Sequence, residues 1–108
     1  MDARSLYAKR VLTLYMTIPG TLHRVLRADR RLALELYDRG VSLQTVEDAF
    51  VLALARRTFR DPSEPIEPIR CLAYLRPVLQ ELFHEALIPE YIAYLKGQLI
   101  RAGVDPRI

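Results

Sequence analysis

The run AFVLALA at residues 49–55 is apolar at every position, so a helix that carries it has no face suited to water. Such a helix must be covered on all sides, and the rest of the chain has to supply the cover. The flanking charges fall where a helix tolerates them. Glu47 and Asp48 lie toward its N-terminal end and Arg56, Arg57 and Arg60 toward its C-terminal end, in the sense that complements the helix dipole. The pattern predicts a buried central helix over about 43–60.

The remaining segments carry helical rather than strand periodicity, since two-residue alternation is nearly absent. A first helix is expected over about 3–17, with Leu6, Val11, Leu12 and Tyr15 on its apolar side, ended by Ile18-Pro19-Gly20. Thr21 or Asp29 can cap the next helix, which runs through RRLALELYDR with Leu32, Ala33 and Leu36 inward and Gly40 as its stop. After the central helix, Pro62, Pro65 and Pro68 make a stiff connection. A fourth helix is expected from Pro68 to about Leu87, kinked near 73–76 by Pro77, and a fifth opens at Pro89 and closes at Gly103. The expected fold is therefore all-α: one domain spanning 1–108, a compact orthogonal bundle of about five helices around the central one.

At 108 residues, such a chain can bury about two-thirds of its unfolded surface. A hydrophobic share of 51% beside 27% charged residues suits a globular protein and not a disordered one. No apolar run approaches the ~20 residues of a membrane span, and MDARSLYAKR carries mixed charge before any apolar segment. Cys71 is the lone cysteine and permits no internal disulfide. The expectation is a cytoplasmic protein with no membrane contact.

Residues 40–50, GVSLQTVEDAF, test a more specific idea. GVS followed by QTV resembles the turn of lac-repressor-type helix-turn-helix proteins, with Val41 and Val46 packed beneath and Ser42 and Gln44 toward base edges. Leu36 stands where that motif packs a small residue, and Arg39 where it buries one. Glu47 and Asp48 would lie against phosphate, and the helix is too long and too apolar in its middle. The stretch reads instead as the start of a core helix.

More of the chain resembles a second group. GVSLQTVEDAFVLALARR, a proline-containing gap and PIRCLAYLRPVLQEL look like an uncharacterised family of short helical bacterial proteins associated with mobile-element neighbourhoods, over about 15–99. YLRPVLQEL, with Tyr74, is also similar to the C-terminal helical domain of DnaD-type replication proteins. The first resemblance implies no assigned activity; the second implies contact with DNA and partner proteins.

Catalytic chemistry is poorly represented. His23 and His84 lie on different segments, and Glu81-x-x-His84 has the spacing that di-iron bundles use twice but occurs here once. The four glycines are isolated stops rather than a phosphate loop. No enzyme activity, metal or cofactor is expected.

The arginines carry the strongest signal. Residues 1–31 hold seven basic groups against Asp2 and Asp29, and the densest run is Arg24, Arg27, Arg30 and Arg31. If residues 22–38 form one helix, Arg24, Arg27 and Arg31 share a face and suit phosphate; the simpler reading is a solvated face with Arg31 paired to Glu35. Arg70 and Arg76 are expected to pair with Glu81 or Glu67. An apolar set on the last two helices (Leu79, Leu82, Phe83, Leu95, Leu99), with Tyr91 and Tyr94 nearby, is expected to exceed what the central helix covers. It points to an interface through Tyr91, Tyr94, Leu95 and Leu99, in a homo-oligomer or with a protein partner. The sequence thus favours a non-catalytic nucleic-acid-associated accessory protein of a mobile or replication module. The alternative is an interaction adaptor with no nucleic-acid binding.

Overall fold

Asp2 starts the first helix by accepting a 2.7 Å hydrogen bond from the Ser5 backbone N–H, and α1 (Ala3–Thr17) ends where Pro19 and Gly20 follow. A computed structural model describes residues 2–63 and 67–104; Pro65 of the proline-rich connection and the tail at 105–108 lie outside the described residues. Four more helices follow: α2 (Arg27–Asp38), α3 (Leu43–Thr58), α4 (Arg76–His84) and α5 (Pro89–Arg101), with a 3-10 turn, Leu72–Leu75, leading into α4. Among the described residues there is no strand, only one isolated parallel bridge between Thr21 and Ile69. The protein is an all-α bundle with a radius of gyration of 13.7 Å, close to the ~13 Å expected of a folded chain of this length. None of its described helices is long and apolar enough to cross a membrane.

The central helix lies where the apolar run requires it. Every residue from Ala49 to Ala55 is buried, with Phe50 and Leu54 each 3% exposed. α3 packs against α1, α4, α5 and the 3-10 turn, whereas α2 leans mainly on α1 and on that turn. Ser42 caps α3 by accepting from the Thr45 N–H, and Gly40, at φ +75°, makes the turn before it. Val41 and Val46 pack beneath as expected. Gln44 donates to Asp48 at 2.9 Å, so both polar residues of the helix-turn-helix resemblance are engaged locally.

Several expectations need correction. Of the two starts that the sequence leaves open for the second helix, after Thr21 or after Asp29, neither is taken: it begins at Arg27, because Gly20 (φ +93°) and His23 (φ +56°) both adopt left-handed backbone and turn the chain. The fourth helix does not start at Pro68, since Ile69 is occupied bridging to Thr21. Pro77 does not kink it either: the preceding 3-10 turn absorbs the change of direction, and Pro77 falls in the first turn of α4, where no donor is needed. Leu6 is 53% exposed rather than part of the α1 apolar face.

Ion pairs tie the surface together across the elements. Arg4 on α1 holds Asp38 at the end of α2 with two hydrogen bonds of 2.8 and 2.9 Å, and Arg56 on α3 grips Glu81 on α4 in the same two-pronged way. Arg31 does not pair with Glu35, which takes Arg39 and Arg76 instead, so Arg76 reaches neither Glu81 nor Glu67. The Arg4 and Arg56 guanidiniums hold the Asp38 and Glu81 carboxyls below their ordinary values, chiefly through these hydrogen bonds.

A carboxyl whose folded value is depressed adds stability that is present above its unfolded value and lost as pH falls through the folded one. Chemical denaturation should therefore show stability declining from about pH 4 downward, and Arg4→Gln should flatten part of that decline. The change should be small, because both pairs are open to solvent. For the core, Phe50→Ala should cost about 3–5 kcal/mol in urea unfolding. A loss below ~1 kcal/mol would contradict the packing of α3.

Candidate functional site

The basic run sits on a stretch whose backbone is pinned before α2 begins. The Gly20 carbonyl accepts from the Ile69 N–H at 2.8 Å, and the Thr21 hydroxyl donates to the Ile18 carbonyl at 3.1 Å. His23 Nδ1 lies 3.0 Å from the Met16 carbonyl, which can only accept, so the proton belongs on Nδ1. These contacts fix the segment that presents Arg24, and Leu26 then serves as the N-cap of α2.

Leucine offers no capping oxygen. The role passes to Asp29, in the first turn, whose Oδ2 accepts from the Leu26 N–H at 2.8 Å. Its Oδ1 accepts from the Leu72 N–H at 2.9 Å, 43 residues further along the chain. Asp29 is 1% exposed. The one carboxylate in the basic run is thus turned inward and divided between two backbone donors, and it neutralises none of the arginines at the surface.

Arg24, Arg27, Arg30 and Arg31 are all exposed. Among the described residues, none of the four makes an ion pair or a side-chain hydrogen bond. Other arginines are engaged, though Lys9, Arg70, Lys96 and Arg101 also make no ion pair among the described residues. Arg4, Arg10, Arg39, Arg56 and Arg76 reach carboxylates, and Arg57 donates to the Glu67 carbonyl at 2.7 Å. Arg27, Arg30 and Arg31 stand in the opening turns of α2, whose N-terminal end is itself positive. Arg24 precedes them on the non-helical segment, so the four do not form the single helical face expected from the sequence. They form a cluster around the start of α2.

The chain matches no family model, no curated protein and no solved structure.

The other expected site divides in two. Tyr91 and Tyr94 are 42% and 57% exposed, with their rings stacked at a centroid distance of 6.2 Å. Leu95 and Leu99 are 7% and 0% exposed: their side of α5 faces α3, so they belong to the core and are not available to an interface. Leu79 and Leu82 are likewise buried, and of the apolar set only Phe83 reaches the surface. Glu81 is committed to Arg56, and His84 is exposed at the end of α4. No group of three histidine, cysteine, aspartate or glutamate side chains that could hold a metal occurs among the described residues.

Two buried tyrosine hydroxyls, on Tyr7 and Tyr15, have no hydrogen-bond partner among the described residues. Burial pushes the Tyr7 phenol up to about 12. It also raises that of Tyr15, with a further contribution from the neighbouring Asp29 carboxylate. Tyr15 lies on the apolar side of α1 that the sequence predicts, but nothing in residue type distinguishes a satisfied hydroxyl from an orphaned one.

Two substitutions test this account. Asp29→Ala removes the acceptor from two backbone donors, and thermal and urea unfolding should show a loss of about 2–4 kcal/mol. Tyr15→Phe removes an orphaned hydroxyl without changing packing, and stability should be unchanged or higher by up to ~1 kcal/mol. A clear loss with Tyr15→Phe would mean that the hydroxyl has a partner.

Proposed function

We propose that this chain is a non-catalytic accessory protein that grips nucleic-acid phosphate through Arg24, Arg27, Arg30 and Arg31. The observation that carries the reading is the imbalance at the start of α2: four exposed guanidiniums, a positive helix end, and a first-turn acid that is buried against backbone donors. Like charges gathered at the positive end of a helix cost stability, and among the described residues no carboxylate pairs with any of the four guanidiniums. An anion that recurs at regular spacing answers it. Guanidinium suits phosphate because its donors match two oxygens at once.

Phosphate contact of this kind is indifferent to sequence. Ser42 and Gln44, which would read bases in the helix-turn-helix resemblance, are engaged in capping and in a local hydrogen bond. The resemblance to mobile-element proteins and to the DnaD-type domain supports a setting in a bacterial mobile or replication module, in the cytoplasm. A second reading draws on the exposed stacked pair Tyr91–Tyr94, with Ile88 at 62% and Phe83 at 55% exposure. These residues suit self-association or an adaptor role. Sedimentation equilibrium at high micromolar concentration tests it, and a dimer weakened by Tyr94→Ser is the expected result.

Duplex DNA binding, measured by fluorescence anisotropy from about 50 to 200 mM salt, tests the first reading. Three or four phosphate contacts set a log–log slope of about −3 to −4, and Arg27→Gln with Arg31→Gln should flatten it by nearly two and weaken all sequences alike. Ser42→Ala with Gln44→Ala should change little. Absence of binding to duplex and single strand at the lowest salt would overturn the proposal.

A further inference from the structure

A groove of about 580 Å³ opens between α1 and α2. Its α1 wall is a single stripe that recurs every three or four residues from Ser5 to Thr17, which makes it straight and, at 1.5 Å per residue, about 18 Å long. Ala8 and Leu12, 7% and 9% exposed, form only its floor; the apolar surface it offers comes from half-buried Met16 on that wall and from half-buried Val25 and Leu34 on the other side. The charges are of one sign. Lys9 and Arg30 line the groove, no carboxylate does, and neither cation makes an ion pair among the described residues. Their neighbours differ: Arg10 reaches Glu47, and Arg4 is held by Asp38.

We propose that this groove seats an acidic amphipathic helix of a partner protein. Three turns of helix match the length of the stripe, and side chains at i, i+3 or i+4, and i+7 would lie over the floor between Met16 on one wall and Val25 and Leu34 on the other. Carboxylates flanking that apolar edge would meet Lys9 and Arg30. The groove is open along its length, whereas a small ligand is normally enclosed over most of its surface. Nucleic acid fits poorly, because a backbone of phosphates gains nothing from the apolar floor. A membrane surface is flat and is met by protruding apolar residues, not by a concave strip. Lys9 and Thr13 lie in this groove and outside the arginine cluster proposed for phosphate, so the two proposals can fail separately.

The test selects 15-residue helical peptides from a random display library on the full chain, then measures the winners by fluorescence anisotropy against variants. Lys9→Glu and Thr13→Glu both alter exposed positions, and their thermal midpoints report whether the fold is retained. The expected winners carry leucine-type residues at i, i+3 or i+4, and i+7, with aspartate or glutamate beside them. Lys9→Glu and Thr13→Glu should each weaken their binding at least tenfold, while Arg24→Gln leaves it within twofold. If Thr13→Glu loses the fold, Lys9→Glu alone decides.

Three results would overturn the proposal: no winners, winners without acidic bias, or winners indifferent to Lys9→Glu. Stoichiometric binding of a fluorescent fatty acid that is lost in Lys9→Glu would make the groove a lipid site instead. A dimer dissolved by Thr13→Glu would make it a contact between copies of this chain.

Discussion

The position of Asp29 governs how the two halves of this protein meet. One carboxylate, shut away from water, accepts from the backbone at the start of α2 and from the backbone at the entry to the 3-10 turn. A buried charge of this kind is tolerable only when its oxygens are occupied, and the positive end of α2 adds to the donors. The arrangement sets the angle of chain entry into α2 and holds the 72–75 turn beneath it. α2 has little contact with α3, so without this tie its link to the C-terminal half would rest mainly on the apolar contact with that turn and on the Arg76–Glu35 pair.

The same residue explains why the surface at 24–31 is so basic. Had Asp29 faced outward, it could have answered Arg30 or Arg31 and left an ordinary mixed surface. Its engagement with the backbone leaves the local charge uncompensated, and the ion pairs elsewhere draw the remaining acids away: Glu35 to Arg39 and Arg76, Asp38 to Arg4. The electrostatic character of the site thus follows from a decision made in the core. It also places Arg30 where it serves the α1–α2 groove as well as the start of α2.

The parts of this fold that were legible in the sequence are those where residue type and geometry coincide. Asp2 and the Ile18-Pro19-Gly20 stop define α1, the AFVLALA run defines the buried helix, and Pro89 opens α5. The errors fell where the cause was tertiary or conformational. His23 adopts a backbone usually left to glycine, and no pattern in RVLRADR announces that the helix waits until Arg27. Pro77 marks a boundary in the right neighbourhood, but periodicity cannot tell a kink from a new start. Leu95 and Leu99 look like surplus apolar area only while the side of α5 that meets α3 is unknown. For the candidate site, the arginines were visible as a run, whereas their lack of partners depended on contacts from distant segments.

Seven consecutive buried residues in α3 have a consequence for how the molecule opens. A helix with one solvent face can fray or lift while its neighbours hold, and its backbone amides then exchange with water through small local motions. The segment from Ala49 to Ala55 has no such face, and it touches α1, α4 and α5 together. Its amides reach solvent only when those contacts dissolve at once, so they are expected to exchange more slowly than those of the other described helices. A middle with no independent way out favours cooperative opening of the bundle.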